Sequence, residues 1–135
     1  MKKKLVLFVC IENSCRSQMA EAFARRLAAD AIEAYSAGSH PRGEIDSKAI
    51  RSMQDLGYDL SDQYSKSLDD LPKVKFDFVI TMGCGDDCPL IPAVHHEDWN
   101  IPDPKDMSPV EFRQVRNMIR EQVELLAMKV RWNDQ

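Results

Sequence analysis

The chain has 135 residues, with 18 Lys and Arg against 22 Asp and Glu, and a formal net charge of −4. This length predicts a single domain over residues 1–135, with a core that needs no disulfide bonds. The acidic balance excludes a protein that binds nucleic acid through general positive charge. No apolar run reaches the roughly 18 residues that span a membrane. The basic start is followed by only a short apolar stretch with no cleavage site, so we expect a cytoplasmic protein.

Strand and helix patterns alternate along the chain. Apolar runs predict buried strands over residues 4–9 and 76–82, and two further strands are expected over residues 32–36 and 93–96. Three stretches with helix-forming composition or helical spacing predict helices, over residues 17–29, 46–56 and 66–71. Gly57 is a plausible residue at the end of the second of these helices. The capping box Ser108-Pro109-Val110-Glu111 begins a long C-terminal helix after a surface loop. The alternation predicts a three-layer α/β sandwich around a four-stranded parallel sheet.

The segment from Cys10 to Ser17, with the sequence CIENSCRS, connects the first strand to the first helix. Open α/β sheets bind ligands at such a point, and backbone N–H groups at a helix N-terminus attract anions. Arg16 adds a planar cation suited to a tetrahedral oxyanion. The helix N-terminus and Arg16 favour the thiolate form of Cys10, and Ser17 could donate a hydrogen bond to it. The predicted oxyanion-binding residues are Ile11, Glu12, Asn13, Ser14, Cys15, Arg16 and Ser17.

Two further cysteines, Cys84 and Cys88, follow the third predicted strand and are separated by Gly-Asp-Asp. They therefore belong to the same C-terminal edge of the sheet as Cys10. In a reducing cytoplasm, four cysteines indicate metal binding or redox catalysis more than a disulfide framework. Two thiols near a thiolate nucleophile suggest a relay by thiol–disulfide exchange.

The Cys-x5-Arg-Ser pattern after a first strand resembles the low-molecular-weight protein tyrosine phosphatase fold. Over its full length the chain is similar to the thioredoxin-coupled arsenate reductases that share this fold. The matching segments are VCIENSCRSQMAEA, YSAG, TMGCGDDCP and EDWNIPDP. Phosphatases of this fold usually have a tyrosine pair after the late Asp-Pro, whereas Lys105 and Asp106 follow it here. This difference and the second cysteine pair favour the reductase.

The resemblance implies an oxidoreductase that detoxifies arsenic by reducing arsenate to arsenite. Cys10 would attack the arsenic of arsenate held by Arg16 and the loop amides, and Asp103 would be the general acid. Cys84 would attack Cys10 and release arsenite, and Cys88 would then move the disulfide to Cys84–Cys88. Thioredoxin would reduce that redox-active disulfide. No metal and no organic cofactor are expected, and the protein is expected to be a monomer.

Some members of the resembled family bind a potassium ion beside the first loop. Asn13, Glu21 and Ser36 match positions of that site, but Lys66 stands where an acidic ligand is expected. We hypothesise that the Lys66 ammonium group occupies the place of the cation, so that activity does not depend on potassium.

Two other functions are compatible with parts of the sequence. A phosphotyrosine phosphatase would need only the first loop and Asp103. A non-enzymatic metal or arsenite-binding protein could use Cys84, Cys88 and one histidine of the pair His95 and His96. Because adjacent residues on a strand point to opposite faces, a zinc site that uses both histidines is awkward.

Two residues of the first loop have less defined roles. Cys15 is either a structural thiol or a partner that traps Cys10 in a protective disulfide. Glu12 is an anion beside an anion site, and we expect its side chain to point to solvent.

Overall fold

The computed structural model describes residues 2–83 and 91–133. Its strands and helices, in chain order, are β1 Lys4–Cys10, α1 Arg16–Leu27, β2 Ile32–Gly38, α2 Ser47–Gln54, β3 Phe76–Thr81, β4 Ala93–Asp98 and α3 Pro109–Asn133. The short helix predicted over residues 66–71 is only a 3-10 turn at Leu68–Asp70. The four strands pair in parallel in the order β2-β1-β3-β4, which confirms the predicted sheet.

The faces of the central strand β1 meet two different layers. Val6 and Phe8 belong to a large core cluster with side chains of all three helices. Leu7 and Val9 belong to a smaller cluster on the opposite face, which Leu68 and residues near it partly cover. Burial on both faces explains why β1 is a continuous apolar run instead of an alternating one.

Local capping sets the helix ends close to their predicted positions. The Asp46 carboxylate accepts the Lys48 N–H at 2.8 Å, so Asp46 caps α2 and the helix proper begins at Ser47. Gly57 has a φ of 81°, and its N–H and the next one close the C-terminal turn. Ser108 and Glu111 each accept a hydrogen bond from the other's backbone N–H at 3.3 Å, which confirms the capping box of α3.

Strand β4 runs two residues further than the sequence predicts. Glu97 and Asp98 pair with Ile80 and Thr81 of β3, although both side chains are charged. Backbone pairing to the buried strand β3 extends β4 there, and this extension cannot be predicted from hydropathy.

In the described ranges, 2–83 and 91–133, no helix is both long enough and apolar enough to cross a membrane. The C-terminal ends of β1, β3 and β4 lie at one edge of the sheet, because the strands are parallel. The loops that leave this edge build the candidate site.

Candidate functional site

The loop between β1 and α1 is held in place by the segment that follows β2. The backbone N–H groups of His40, Arg42 and Asp46 donate to the carbonyls of Ile11, Glu12 and Ser14 at 2.8, 3.1 and 2.9 Å. Those carbonyls are therefore occupied on the outer side of the loop. Within the described parts of the chain, the N–H groups of residues 11–15 donate to no protein acceptor, which leaves them for an anion.

Gly38 lies directly against this loop at the end of β2. A Cβ atom there would come within 2.5 Å of the Ile11 carbonyl oxygen and 2.8 Å of the Asn13 nitrogen. Only a residue without a side chain allows the loop its present path. Local hydropathy does not predict this contact of Gly38, although a glycine ending the strand beside the nucleophile's strand is a recognisable signal.

The Cys10 thiol has a defined hydrogen-bond partner. Its Sγ lies 2.8 Å from Ser17 Oγ, and Asn13 Nδ2 donates to the same Ser17 oxygen at 2.7 Å. Because Lys66 N–H donates to Asn13 Oδ1 at 2.8 Å, the orientation of the Asn13 amide is fixed. The Ser17 hydroxyl is thus an acceptor for Asn13, and its own proton is available to Cys10. This supports the predicted donation from Ser17 to the thiolate.

Arg16 is buried at the first position of α1 and joins three segments. Its Nη1 donates to the carbonyl of Met82 and, at 2.8 Å, to that of Ile101. Met82 follows β3, and Ile101 lies just before Asp103. These bonds fix the guanidinium plane, and Arg16 still lines the cavity.

A cavity of about 270 Å³ lies over the loop. It is lined by Cys10, Ile11, Glu12, Ser14, Cys15, Arg16, His40, Asp103 and Lys105. The structure therefore brings Cys10, Arg16 and Asp103 together, as their predicted roles require. Asn13 and Ser17, also predicted to bind the oxyanion, lie behind the loop and support it from there.

We call Glu12, His40 and Lys105 the mouth of the cavity. Lys105 Nζ lies 3.8 Å from Glu12 Oε1, and these side chains are 54% and 40% exposed. Glu12 is thus partly exposed, as expected, but it also has a cationic partner across the cavity. No local sequence pattern predicts this pair, since its members are more than 90 positions apart.

We call Asn13, Ser17, Glu21, Ser36 and Lys66 the inner wall of the loop. Lys66 Nζ lies 3.4 Å from Glu21 Oε1 and 3.3 Å from Ser36 Oγ, and it donates to the Tyr64 carbonyl at 2.9 Å. Burial lowers the pKa of Lys66, while the neighbouring Glu21 opposes that shift. The ammonium group therefore contacts Glu21 and Ser36 of the potassium hypothesis, while Asn13 is bonded to the Lys66 backbone N–H.

Cys15 has surroundings unlike those of a nucleophile. It is buried, and burial raises the pKa of its thiol far above the ordinary value, with nearby Asp46 adding to the effect. A thiol that stays protonated is a poor nucleophile. This favours the structural interpretation of Cys15.

Cys84 and Cys88 lie outside the described residues, so their predicted roles remain predictions. The described chain reaches Gly83, whose N–H donates to Asp98 Oδ1 at 2.8 Å. Thr81 Oγ1 donates to the same carboxylate oxygen at 2.6 Å, and this bond is the main reason that the pKa of Asp98 lies below its usual value. Asp98 thus fixes the chain immediately before Cys84, a contact that the sequence did not indicate.

The two histidines of β4 have separate environments. The His95 ring stacks on Phe78 with centroids 4.8 Å apart, whereas His96 Nε2 lies 2.6 Å from the Ile91 carbonyl oxygen. Among residues 2–83 and 91–133, no three His, Cys, Asp or Glu side chains are grouped so as to hold a metal ion.

Comparisons with known proteins agree with this geometry. The family model described as low molecular weight phosphotyrosine protein phosphatase matches residues 5–135. Arsenate reductase 1 of Staphylococcus epidermidis is 37% identical, over 96% of this chain and 100% of its own length. The glutaredoxin arsenate reductase of Synechocystis sp. is 39% identical, over 94% of this chain and 98% of its own.

Solved structures give the same result. An arsenate reductase in a phosphate-binding state has a TM-score of 0.84 and 39% identity, covering 94% of this chain and 98% of that one. The thioredoxin-dependent arsenate reductase of Corynebacterium glutamicum has a TM-score of 0.79 and 30% identity, covering 97% of this chain and 63% of that one.

Proposed function

The chain belongs to the low molecular weight phosphotyrosine protein phosphatase family, and we propose that it is an arsenate reductase in which a thiol relay frees the Cys10 nucleophile after each reduction. The observation that carries the proposal is the position of Arg16. It lines the cavity with Cys10 and Asp103 and also binds the Met82 carbonyl, two residues before Cys84. One cation therefore connects the oxyanion site to the start of the second cysteine segment.

The first step is a substitution at arsenic. The Cys10 sulfur forms a bond to arsenic while one arsenate oxygen leaves, and Asp103 gives that oxygen a proton. The free N–H groups of residues 11–15 and the Arg16 guanidinium neutralise the charge on the remaining oxygens. The product is an arsenic(V) adduct on Cys10.

The second step transfers electrons from sulfur to arsenic. The Cys84 thiolate attacks the Cys10 sulfur, and the electron pair of the sulfur–arsenic bond goes to arsenic, which leaves as arsenite. A phosphorus adduct can only be hydrolysed at this point. Cys88 then attacks Cys84, which frees the Cys10 thiolate and leaves a Cys84–Cys88 disulfide.

The external reductant that we propose is thioredoxin. A dithiol protein can reduce an intramolecular disulfide in two exchanges. One of its thiols forms a mixed disulfide with the substrate, and its second thiol then resolves that bond and leaves a disulfide in the dithiol protein. One similar structure is a thioredoxin-dependent arsenate reductase, whereas one similar protein is named for glutaredoxin. We further propose that the protein acts as a monomer in the reducing cytoplasm.

The test is arsenate-dependent NADPH oxidation with thioredoxin and thioredoxin reductase, compared with glutaredoxin, glutathione and glutathione reductase. We expect sustained turnover with thioredoxin by the wild type, and loss of multiple turnover in Cys88→Ser. The control is Met128→Ser, which removes an exposed sulfur-containing side chain of α3 away from the cavity and should retain turnover.

Other results would overturn parts of the proposal. Turnover with the glutaredoxin system but not with thioredoxin would show that glutaredoxin is the reductant. Absence of arsenate turnover, together with fast hydrolysis of an aryl phosphate that Cys84→Ser and Cys88→Ser leave unchanged, would make the protein a phosphatase.

A further inference from the structure

The mouth of the cavity carries an ion pair that the steps above do not use. Lys105 Nζ and Glu12 Oε1 lie 3.8 Å apart, and both residues line the cavity with Cys10 and Arg16. We propose that Lys105 is an oxyanion-binding residue and that Glu12 competes with the incoming anion for its ammonium group. The inference deepens the proposed function by defining which anions the site admits, and it depends on that function only for the identity of the natural anion.

The backbone of Lys105 is anchored, while its side chain is free to change partner. Its N–H donates to Asp103 Oδ1 at 3.1 Å, and its carbonyl accepts from Lys48 Nζ at 2.9 Å. The ammonium group stands on a flexible four-carbon stem. It can therefore exchange the Glu12 carboxylate for an oxyanion without moving the segment that carries Asp103.

The charges of the mouth have opposite effects on a doubly charged anion. The Glu12 carboxylate repels the anion and also occupies Lys105, whereas the Lys105 ammonium attracts it. Both side chains are partly exposed, so solvent screens each charge and neither one decides binding alone. Loss of Glu12 charge should strengthen anion binding, and loss of Lys105 charge should weaken it.

The same pair also disfavours phosphate esters. A free oxyanion fits within the cavity of about 270 Å³, whereas an ester would also have to place its organic group against a lining that includes Glu12 and Lys105. In the part of the chain that the structure describes, the lining contains no Phe, Tyr or Trp ring on which an aryl group could stack. The mouth therefore favours small inorganic oxyanions.

The test measures binding of inorganic phosphate to the reduced protein by isothermal titration calorimetry. Phosphate needs no reductant and no turnover, so the result does not depend on whether arsenate is reduced. We expect Lys105→Gln to raise the Kd about tenfold and Glu12→Gln to lower it about threefold, by single-charge effects in a partly exposed site. Both changes should shrink as salt is added.

A matched control is the Arg120–Glu124 pair on α3, which has a similar separation of 3.5 Å and exposures of 44% and 54%. Arg120→Gln and Glu124→Gln alter the net charge in the same way and should leave the Kd for phosphate unchanged. Benzylphosphonate is the second probe. The ratio of its Kd to the Kd for phosphate should be smaller in Lys105→Ala than in the wild type.

The opposite signs make the inference falsifiable. Weaker phosphate binding in Glu12→Gln, unchanged binding in Lys105→Gln, or equal shifts in the control variants would each overturn it. If arsenate is not turned over while the two signs hold, the proposed function fails and the role of Lys105 stands.

Discussion

Two lysines approach the oxyanion loop from opposite sides, one in the inner wall and one at the mouth. Lys66 has a side-chain exposure of 12% and contacts Glu21, which is 1% exposed. Lys105 has an exposure of 54% and faces a Glu12 that is 40% exposed. Breaking a buried ion pair leaves an uncompensated charge, whereas an exposed pair contributes little to stability. The inner wall therefore fixes the shape of the loop, and the mouth can exchange partners with a ligand.

The largest expected effect comes from Gly38→Ala, beside the inner wall. The new Cβ would lie 2.5 Å from the Ile11 carbonyl oxygen, so the loop must shift. Misplacement of reacting groups by about 1 Å costs on the order of a hundredfold in rate. We expect kcat/KM for arsenate to fall by that factor and phosphate binding to be lost.

Gly57→Ala is the control for Gly38→Ala. Gly57 is restricted by its positive φ of 81° and not by a close contact, since its nearest neighbour is the end of Arg26 at 4.0 Å. It should destabilise the protein by about 1 kcal/mol without changing kcat/KM. Equal loss of activity in both variants would show that general instability, not the loop, is responsible.

Lys66→Ala tests the inner wall itself. Removal of the ammonium group leaves Glu21 buried with only Arg25, at 2.9 Å, as an ion-pair partner among the described residues. Because Arg25 still compensates part of the Glu21 charge, unfolding in urea should show a loss of about 1–3 kcal/mol, against less than about 1 kcal/mol for Lys105→Ala. Similar losses in the two variants would remove the distinction between wall and mouth.

Potassium sharpens the same comparison. If the Lys66 ammonium replaces a cation, activity of the wild type should be equal in potassium and sodium buffers of matched ionic strength. The Lys66→Ala variant should be more active in potassium than in sodium, because a potassium ion can then occupy the space left by the ammonium group. A strong potassium requirement in the wild type would contradict the hypothesis.

Ser17→Ala is expected to have an intermediate effect that acts on the nucleophile. It removes the hydroxyl that lies 2.8 Å from Cys10 Sγ and also accepts from Asn13 Nδ2, while the Lys66 N–H still holds the Asn13 amide. A hydrogen bond to a charged group contributes about 1.5–3 kcal/mol, so alkylation of Cys10 by iodoacetamide at neutral pH should slow by about tenfold or more. Unchanged alkylation would show that Ser17 does not stabilise the thiolate.

The smallest effect concerns Asp98, which lies outside both regions. The Thr81 hydroxyl holds the pKa of Asp98 below its ordinary value of 3.8. A carboxyl group whose pKa is lower in the folded than in the unfolded protein stabilises the fold at pH values above its pKa in the unfolded chain. That contribution is lost as pH falls through the folded value. The free energy of unfolding should thus fall less steeply between pH 5 and acid pH in Asp98→Asn than in the wild type.

The elements of the fold followed from local sequence patterns, whereas several contacts of the site did not. The run of β1 and the capping box at Ser108 depend on neighbouring residues, so both could be predicted. The pair Glu12–Lys105 and the approach of Gly38 to Ile11 join positions that are distant in the sequence. They exist only once the parallel sheet has brought its loops to one edge.

The inner wall shows what a resemblance adds to such patterns. Hydropathy assigns Lys66 to the surface, and only the match to a cation site placed it beside Glu21 and Ser36. The structure shows that placement at 3.4 and 3.3 Å. The polar end of β4 had no comparable signal, and its bond to Gly83 was found only in the structure.

The most direct test of the central claim is a single turnover of Cys88→Ser with arsenate, followed by peptide mapping under non-reducing conditions. We expect a Cys10–Cys84 disulfide that forms only with arsenate, together with one equivalent of arsenite, because the relay stops before its last exchange. Release of arsenite without that disulfide, or no arsenite while Cys10 remains reactive to alkylation, would contradict it.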